Sequence, residues 1–412
     1  MWTKVEKLGR NDQCSCGSET KYKMCCLVKD ESEARKEKLI SVFNQFSVIT
    51  DPRDNRGKRY RVMDLFIMVI YGILNGHEDF DNLAYFLKLN DEYFKKLLLI
   101  EKTPSHDCLS DLFSMIDTEN FTEIFIDWVK EIVKQKTGFT IAIDGKAVRS
   151  ARDKINGGNT PYILSAFLTD LGISIGQVEV DKKSNEITAI PSLLKLLNIE
   201  KNYITIDAMG TQEDIARQIV SLGGHYLLKV KGNQKQLQTD LSKYFDEHLE
   251  NQEVLLVETT EFEKDHGREE YREYYLSHDS SCITDKNKWD TVKSVGMVRV
   301  YRKIGEKMSI VDHYYIMDTK ISMLMFKKAT RNHWNIECGL HWRLDVILNE
   351  DNSRNRVGNS ISNLTLMRKI IFNLVKLDSS LGKISFKKKL ANYRNDFSKI
   401  ENLIFNVLPD VI

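Results

Sequence analysis

The sequence predicts a multidomain α/β protein. Its centre is a mixed sheet with helices on its faces and a β-rich insertion, preceded by an all-helical domain and a small cysteine-rich module. Three observations predict this. Four of the seven cysteines fall within residues 14–26. From Asp51 to about residue 137, apolar residues recur at helical spacing with few Gly or Pro. At Phe139 the pattern changes to short apolar runs between turn residues, in the order strand-strand-strand-helix-strand-helix-strand.

At 412 residues the chain is too long for one compact core. Domains are expected at 1–30, 31–137 and 138–376, with the β-rich insertion at about 250–320 and a basic helical tail at 377–412. Net charge is +1 and 42% of residues are hydrophobic, which fits a soluble globular protein and does not by itself announce a nucleic-acid binder. The distribution is more suggestive, since Lys and Arg outnumber acids in the first 60 residues and again after Lys327. No apolar run reaches membrane-spanning length and the N-terminus lacks a signal-peptide core, so a cytoplasmic protein is expected. Cys108, Cys282 and Cys338 are scattered and read as reduced thiols, not as a disulfide framework.

Residues 8–26, LGRNDQCSCGSETKYKMCC, set Cys14 and Cys16 against Cys25 and Cys26 across a Gly-Ser turn. Four soft ligands suit tetrahedral Zn²⁺, and so short a segment folds only if a metal supplies the energy. The plain alternative is four unliganded thiols. Residues 28–50 read as a helical linker. The stretch DPRDNRGKRYRVMDLFIMVIYGILNG is a basic turn followed by a strongly apolar helix, and further helices run to about residue 135. Their aromatics (Phe80, Tyr85, Phe86, Tyr93, Phe94, Phe113, Phe121, Phe125, Trp128) fall at core spacing, which favours packing over base stacking.

In the α/β region the strand FTIAID ends in Asp144, and NYITID ends in Asp207. Strands at 162–169 and 173–180 join through Asp170-Leu171-Gly172; helices are expected at 187–198 and 212–222, and a strand at 226–233. Runs within 253–317 alternate apolar and polar residues, and their Trp289 reads as a core or edge residue before a base-stacking one. Residues 330–347, TRNHWNIECGLHWRLDVI, read as one helix with an apolar stripe of Trp334, Leu340, Leu344 and Ile347. Beside it His333, Glu337 and His341 form a column, either a metal- or phosphate-site component or a solvated polar face. Adjacent strands bring Asp144 and Asp207 together, and a helix on that sheet edge can add Glu337. Three carboxylates in one place repel unless cations neutralise them. Hard oxygen ligands suit Mg²⁺ or Mn²⁺, two of which, about 4 Å apart, serve phosphodiester chemistry. Lys146, Arg149, Lys229 and Lys231 lie near the strand ends and could hold DNA phosphates. A single strand-end Asp is more ordinarily a turn former or a helix cap.

Several stretches carry a family resemblance. IAIDGKAVRSA, the run from ITIDAMGTQEDIA to LLKVKGNQ, HGREEYRE, and RNHWNIECGLHWRLDVILNEDNSRNR resemble, in order, the motifs of a bacterial insertion-sequence DDE transposase of the H-repeat-associated type. DPRDNRGKRYRVMDLF resembles that family's associated helical domain, and GRNDQCSCGSETKYKMCC resembles the SEC-C zinc motif. The resemblance implies an RNase H-like core in which Asp144, Asp207 and Glu337 bind Mg²⁺ or Mn²⁺, with the insertion between Asp207 and Glu337. It implies structural Zn²⁺ on Cys14, Cys16, Cys25 and Cys26. It further implies contacts to DNA from His333, His341 and Arg343 alongside Lys146, Arg149, Lys229 and Lys231. His333 stands where the wider superfamily often has Arg, and Cys338 where many relatives have Asn. The implied activity is cleavage at the element's terminal inverted repeats and joining of the 3′-hydroxyl to target DNA. It would act as a homodimer on two ends, in the nucleoid-associated cytoplasm, with a protein partner conceivable for the zinc motif. Two alternatives stand beside it: an RNase H-like nuclease that does not join, and a decayed DNA-binding or adaptor protein working through the zinc module.

Overall fold

A computed structural model describes residues 8–56, 58–134, 137–148, 161–180, 186–250, 256–259, 263–265 and 268–407. They form two compact units: one takes the described residues up to Ile124 together with those from Leu348 onward, the other is Phe125–Ile347.

The first unit is helical. Its N-terminal part holds α1 (Leu27–Val42), α2 (Val62–Leu74), α3 (Phe80–Leu89), α4 (Asp91–Leu98), α5 (His106–Met115) and the first turns of α6 (Thr118–Val133). Every residue of α2 is buried, as expected of a helix that is apolar all round. Gly72 lets α3 close on it, because a Cβ there would lie 2.0 Å from Leu83 Cδ2. The aromatics expected in the core are buried except Tyr85, which is 63% exposed, and Tyr93, which is half-buried. Among the basic residues after Ser353, Arg368, Lys369 and Lys389 are also buried. Arg368 donates to the Glu78 carbonyl, and Lys389 to those of Val375 and Asp378. Arg368 and Lys389 thus meet carbonyls inside the bundle and do not face a phosphate at the surface.

The second unit is built on one sheet of ten strands in the order β3-β2-β1-β4-β5-β10-β9-β8-β6, with β7 paired to β8. The first half of the sheet is β1 (Thr140–Ala147), β2 (Tyr162–Leu168), β3 (Ile173–Val180), β4 (Tyr203–Ile206) and β5 (His225–Val230). Helices α7 (Glu186–Leu196) and α8 (Glu213–Ser221) connect β3 to β4 and β4 to β5. β1–β3 are antiparallel, while β1, β4 and β5 run parallel. The turn at Asp170-Leu171-Gly172 uses Gly172 at φ +69. After α9 (Lys235–Glu250) come β6 (Leu256–Thr259), β7 (Glu263–Asp265), β8 (Arg268–Ser277), β9 (Ser294–Ile304) and β10 (Lys307–Met317). The insertion is continuous with the core, because β10 pairs antiparallel with β5. Trp289 is 4% exposed and packs internally.

Helix α10 (Met323–Asn332) returns the chain to the sheet. Its Phe326 stands edge-on to Tyr274 and Tyr315, above Gly296, where a Cβ would come within 2.5 Å of the ring. The expected single helix over 330–347 is not what forms. α10 ends at Asn332, and π-helical turns follow at Glu337–His341 and Arg343–Ile347. Each π turn closes on the fifth residue, so positions four apart no longer stack in a column. Leu340, Leu344 and Ile347 are buried as expected, while Trp334 is 59% exposed. α11 (Ser360–Leu377), α12 (Phe386–Tyr393) and α13 (Phe397–Val407) follow and belong to the first unit.

Candidate functional site: a carboxylate cleft on the central strands

The parallel register aligns Ile143 with Ile206, which sets Asp144 and Asp207 one residue further along neighbouring strands. Neighbouring strands lie about 4.8 Å apart, so the two carboxylates share one sheet end. Asp207 is also a cap: its Oδ1 accepts from Met209 N at 2.8 Å. That is the ordinary role of a strand-end Asp, and it fixes the direction of the side chain without consuming its second oxygen.

Asp144 shows what the crowding costs. Burial, and then the charges of Glu186, Glu337 and Asp207, push its acid up to about 7, against a hydrogen bond from the Gly145 amide. Glu337 is pushed up by burial and by Asp207. Asp144 and Asp207 thus end neighbouring strands, and Asp207 and Glu337 line one cleft. His341 is buried with Nδ1 3.4 Å from Asp144 Oδ2, so it faces the carboxylate. His333 is on the wall of an adjoining cleft of about 120 Å³, its Nδ1 3.1 Å from Thr205 Oγ1. Burial, with Lys229 and Lys231 opposed by Asp207, holds its imidazole down to about 4. It is neutral at ordinary pH and brings no cation to a phosphate.

The same cleft is lined by Asp207, Glu337, Trp334, Lys229 and Lys231. Burial and Lys231 lower the Lys229 ammonium to about 8, opposed by Asp207, while Lys231 is exposed. Lys146 takes a different role from the expected phosphate contact. It is 12% exposed and ion-paired with Asp345 on the second π turn, which ties that segment to β1. Gly339 lets the same segment approach β2, with a Cβ position 3.2 Å from the Phe167 ring. Arg343 is half-buried, and Arg149 lies outside the described residues.

Sequence reasoning missed Glu186, Tyr162 and the reason for Gly145. The Tyr162 hydroxyl donates to Glu186 Oε2 at 3.3 Å. Its ring fills the space where a Gly145 Cβ would stand, 2.1 Å from Cε1. An acidic residue opening a helix reads from sequence as a partner for the helix dipole, which hid Glu186.

In the first unit, the sulfurs of Cys14, Cys16, Cys25 and Cys26 lie within 4.8 Å of one another. Cys16–Cys25 is 3.3 Å and Cys25–Cys26 3.8 Å. A tetrahedral site with Zn–S of about 2.3 Å has sulfurs about 3.8 Å apart, so the cluster is compatible with zinc. Backbone bonds Cys14 N to Thr20 O and Tyr22 N to Asp12 O close the loop, with Gly17 at φ +83 making its turn. Hydrogen bonds from Ser18, then Cys25 and Cys14, lower the Cys16 thiol to about 6.

The fold is a mixed sheet in which β1, β4 and β5 run parallel, with acids at the ends of two of its central strands. Comparison makes the class particular. Residues 139–374 match the family described as Transposase DDE domain, 43–129 the DDE_Tnp_1-associated family, and 10–27 the SEC-C motif. The H repeat-associated putative transposase YhhI of Escherichia coli K12 is 32% identical over 89% of this chain and 98% of its own length. A putative transposase, YncI, of Escherichia coli O157:H7 is 35% identical over 82% of this chain and 87% of its own. A piggyBac transposase synaptic complex with hairpin DNA aligns at 12% identity and TM-score 0.41 over 92% of this chain and 85% of that one, too distant to argue from. The chain belongs to the DDE transposase family and is a DNA transposase. Among the described residues no helix is long and apolar enough to cross a membrane.

Proposed function

We propose that this transposase cuts DNA at the ends of its own insertion sequence and joins the freed 3′-hydroxyl to target DNA, using divalent cations held by Asp144, Asp207 and Glu337. The observation that carries the reading is the parallel register of β1 and β4, which sets two aspartates side by side with Glu337 near enough to raise their mutual repulsion. The donor set fits hard cations, since every oxygen is a carboxylate. Bound Mg²⁺ or Mn²⁺ would supply Lewis-acid activation of the attacking oxygen and stabilisation of the leaving one. The chain's own groups set the stage. Asp207 is oriented by its cap to Met209, His341 abuts Asp144, and Lys146 with Asp345 holds the Glu337 segment to β1. Lys229 and Lys231 give the cleft positive charge for phosphates.

The four cysteines would hold Zn²⁺ as a structural site, and residues 31–137 would contribute to DNA binding. Two protomers would act together, because two DNA ends must be processed in one complex. The test is cleavage of a labelled fragment carrying the element's end, with Mg²⁺ or Mn²⁺. Glu337→Gln should lower cutting by at least about 100-fold while leaving DNA binding intact. Undiminished cutting by that variant refutes the triad. Cutting without strand transfer from a pre-cut end would make the protein a nuclease.

A further inference from the structure

The stretch DPRDNRGKRYR, which leads into α2, carries more cations than its own folding uses. Two of them build the loop. Arg53 donates from Nε and Nη2 to the two Asp51 carboxylate oxygens at 2.9 and 2.8 Å, and from Nη2 to the Tyr60 carbonyl at 2.9 Å. Lys58 donates to the Asp51 carbonyl at 3.3 Å. Tyr60 is buried, while Arg59 and Arg61 on either side of it are exposed. Arg61 has extended backbone, and residues two apart in extended chain share a face, so both guanidinium groups belong to the outer side of the loop.

Arg59 and Arg61 line a recess of about 360 Å³ together with Lys102, which comes from the link between α4 and α5. That link is held by Asp91, which accepts from the Thr103 amide at 2.8 Å. On the inner side Lys36 pairs with Asp64 at 2.8 Å, which cancels the buried acid of the recess. Arg59, Arg61 and Lys102 are different in kind from the interior cations Arg368 and Lys389. They are exposed and enter no ion pair among the described residues. Glu101 is the one exposed acid lining the recess, so its rim keeps a net positive charge.

We propose that Arg59, Arg61 and Lys102 form a seat for the phosphate backbone of duplex DNA. The proposal deepens the reading that residues 31–137 contribute to DNA binding, and rests on it. Two guanidinium forks held beside an ammonium match a phosphate chain, because arginine meets phosphate oxygens in pairs and stays charged at any ordinary pH. The polyanion at hand is DNA, since the chain is a DNA transposase and a duplex carries one negative charge per about 1.7 Å of its axis. Such contacts read no base. The seat sets how the duplex lies on the helical unit and leaves sequence choice to other residues.

The test measures binding of the full, zinc-loaded chain by fluorescence anisotropy across a salt series, with no Mg²⁺ or Mn²⁺ added. The probes are a labelled duplex carrying the element's end and an unrelated duplex of equal length. Arg59→Gln combined with Arg61→Gln should lower the slope of log affinity against log salt by about 2, and weaken binding at least about 10-fold near 0.15 M salt, on both duplexes alike. Arg59→Lys combined with Arg61→Lys keeps the charge and should keep most of the slope. Glu101→Gln removes the rim's acid and should tighten binding. None of these should shift melting followed by circular dichroism, whereas Arg53→Gln, which breaks the pair with Asp51, should melt lower. An unchanged slope in the Gln pair, or a loss that the Lys pair does not restore, overturns the seat and leaves the function standing. A wild type that binds neither duplex overturns the seat and the proposed function together.

Discussion

Asp144→Asn should stabilise the cation-free protein, and the gain should depend on pH. The Asp144 acid, ordinarily at 3.8, is held near 7 by burial and by three neighbouring carboxylates, and the side chain is only 21% exposed. A carboxyl whose folded pKa is raised binds more protons folded than unfolded, so its contribution to stability is lost as pH climbs from about 4 to 7. The shift of about three units corresponds to at most about 4 kcal/mol, at about 1.4 kcal/mol per unit. Asparagine has nearly the same shape and does not titrate. The two proteins should melt together near pH 4 and diverge by pH 8, the variant higher by up to roughly 8–16 °C for a unit of this size. Saturating Mn²⁺ should reverse the order, since cations stabilise only the carboxylate form. Tryptophan fluorescence suits the assay, because Trp128, Trp289, Trp334 and Trp342 all lie in the unit Phe125–Ile347. The buffer should be depleted of Mg²⁺ and Mn²⁺ with the cysteine site left loaded. A variant no more stable than wild type at pH 8, or a gap that does not vary with pH, would refute the reasoning.

Other substitutions test the neighbouring parts. Gly145→Ala would drive a Cβ into the Tyr162 ring and should cost about 1–3 kcal/mol in melting, largely restored when combined with Tyr162→Ala. Lys146→Met should impair cleavage by freeing the Glu337 segment, yet leave the salt dependence of DNA binding unchanged, whereas Lys231→Ala should flatten that slope by about 1. An equal flattening by both would place Lys146 on a phosphate after all. Cys25→Ser should abolish zinc retention, read by elemental analysis, and open residues 10–27 to proteolysis without shifting the tryptophan-reported transition.

The strand-end aspartates were legible because a parallel pair leaves a mark in sequence: two apolar runs, FTIAID and NYITID, each stop on an acid, and the sheet aligns them. The cysteine cluster was legible for a related reason, since ligands for one ion must crowd together. The 330–347 segment failed as a regular helix because composition does not distinguish a π turn from an α turn. The two differ by one residue in the reach of each backbone hydrogen bond; His333, just past α10, meets Thr205, and His341, at the end of the first π turn, faces Asp144. The ion pair of Lys146 was not legible because its partner, Asp345, is 199 positions away in the chain. Glu186 is the extreme case. Its meaning comes from Tyr162 and Gly145, one residue with an ordinary strand role and one with no side chain at all. An acid acquires its chemistry from what surrounds it, and for Glu186 those surroundings are assembled by a strand pairing, a glycine gap and a helix start that no local stretch of sequence contains together.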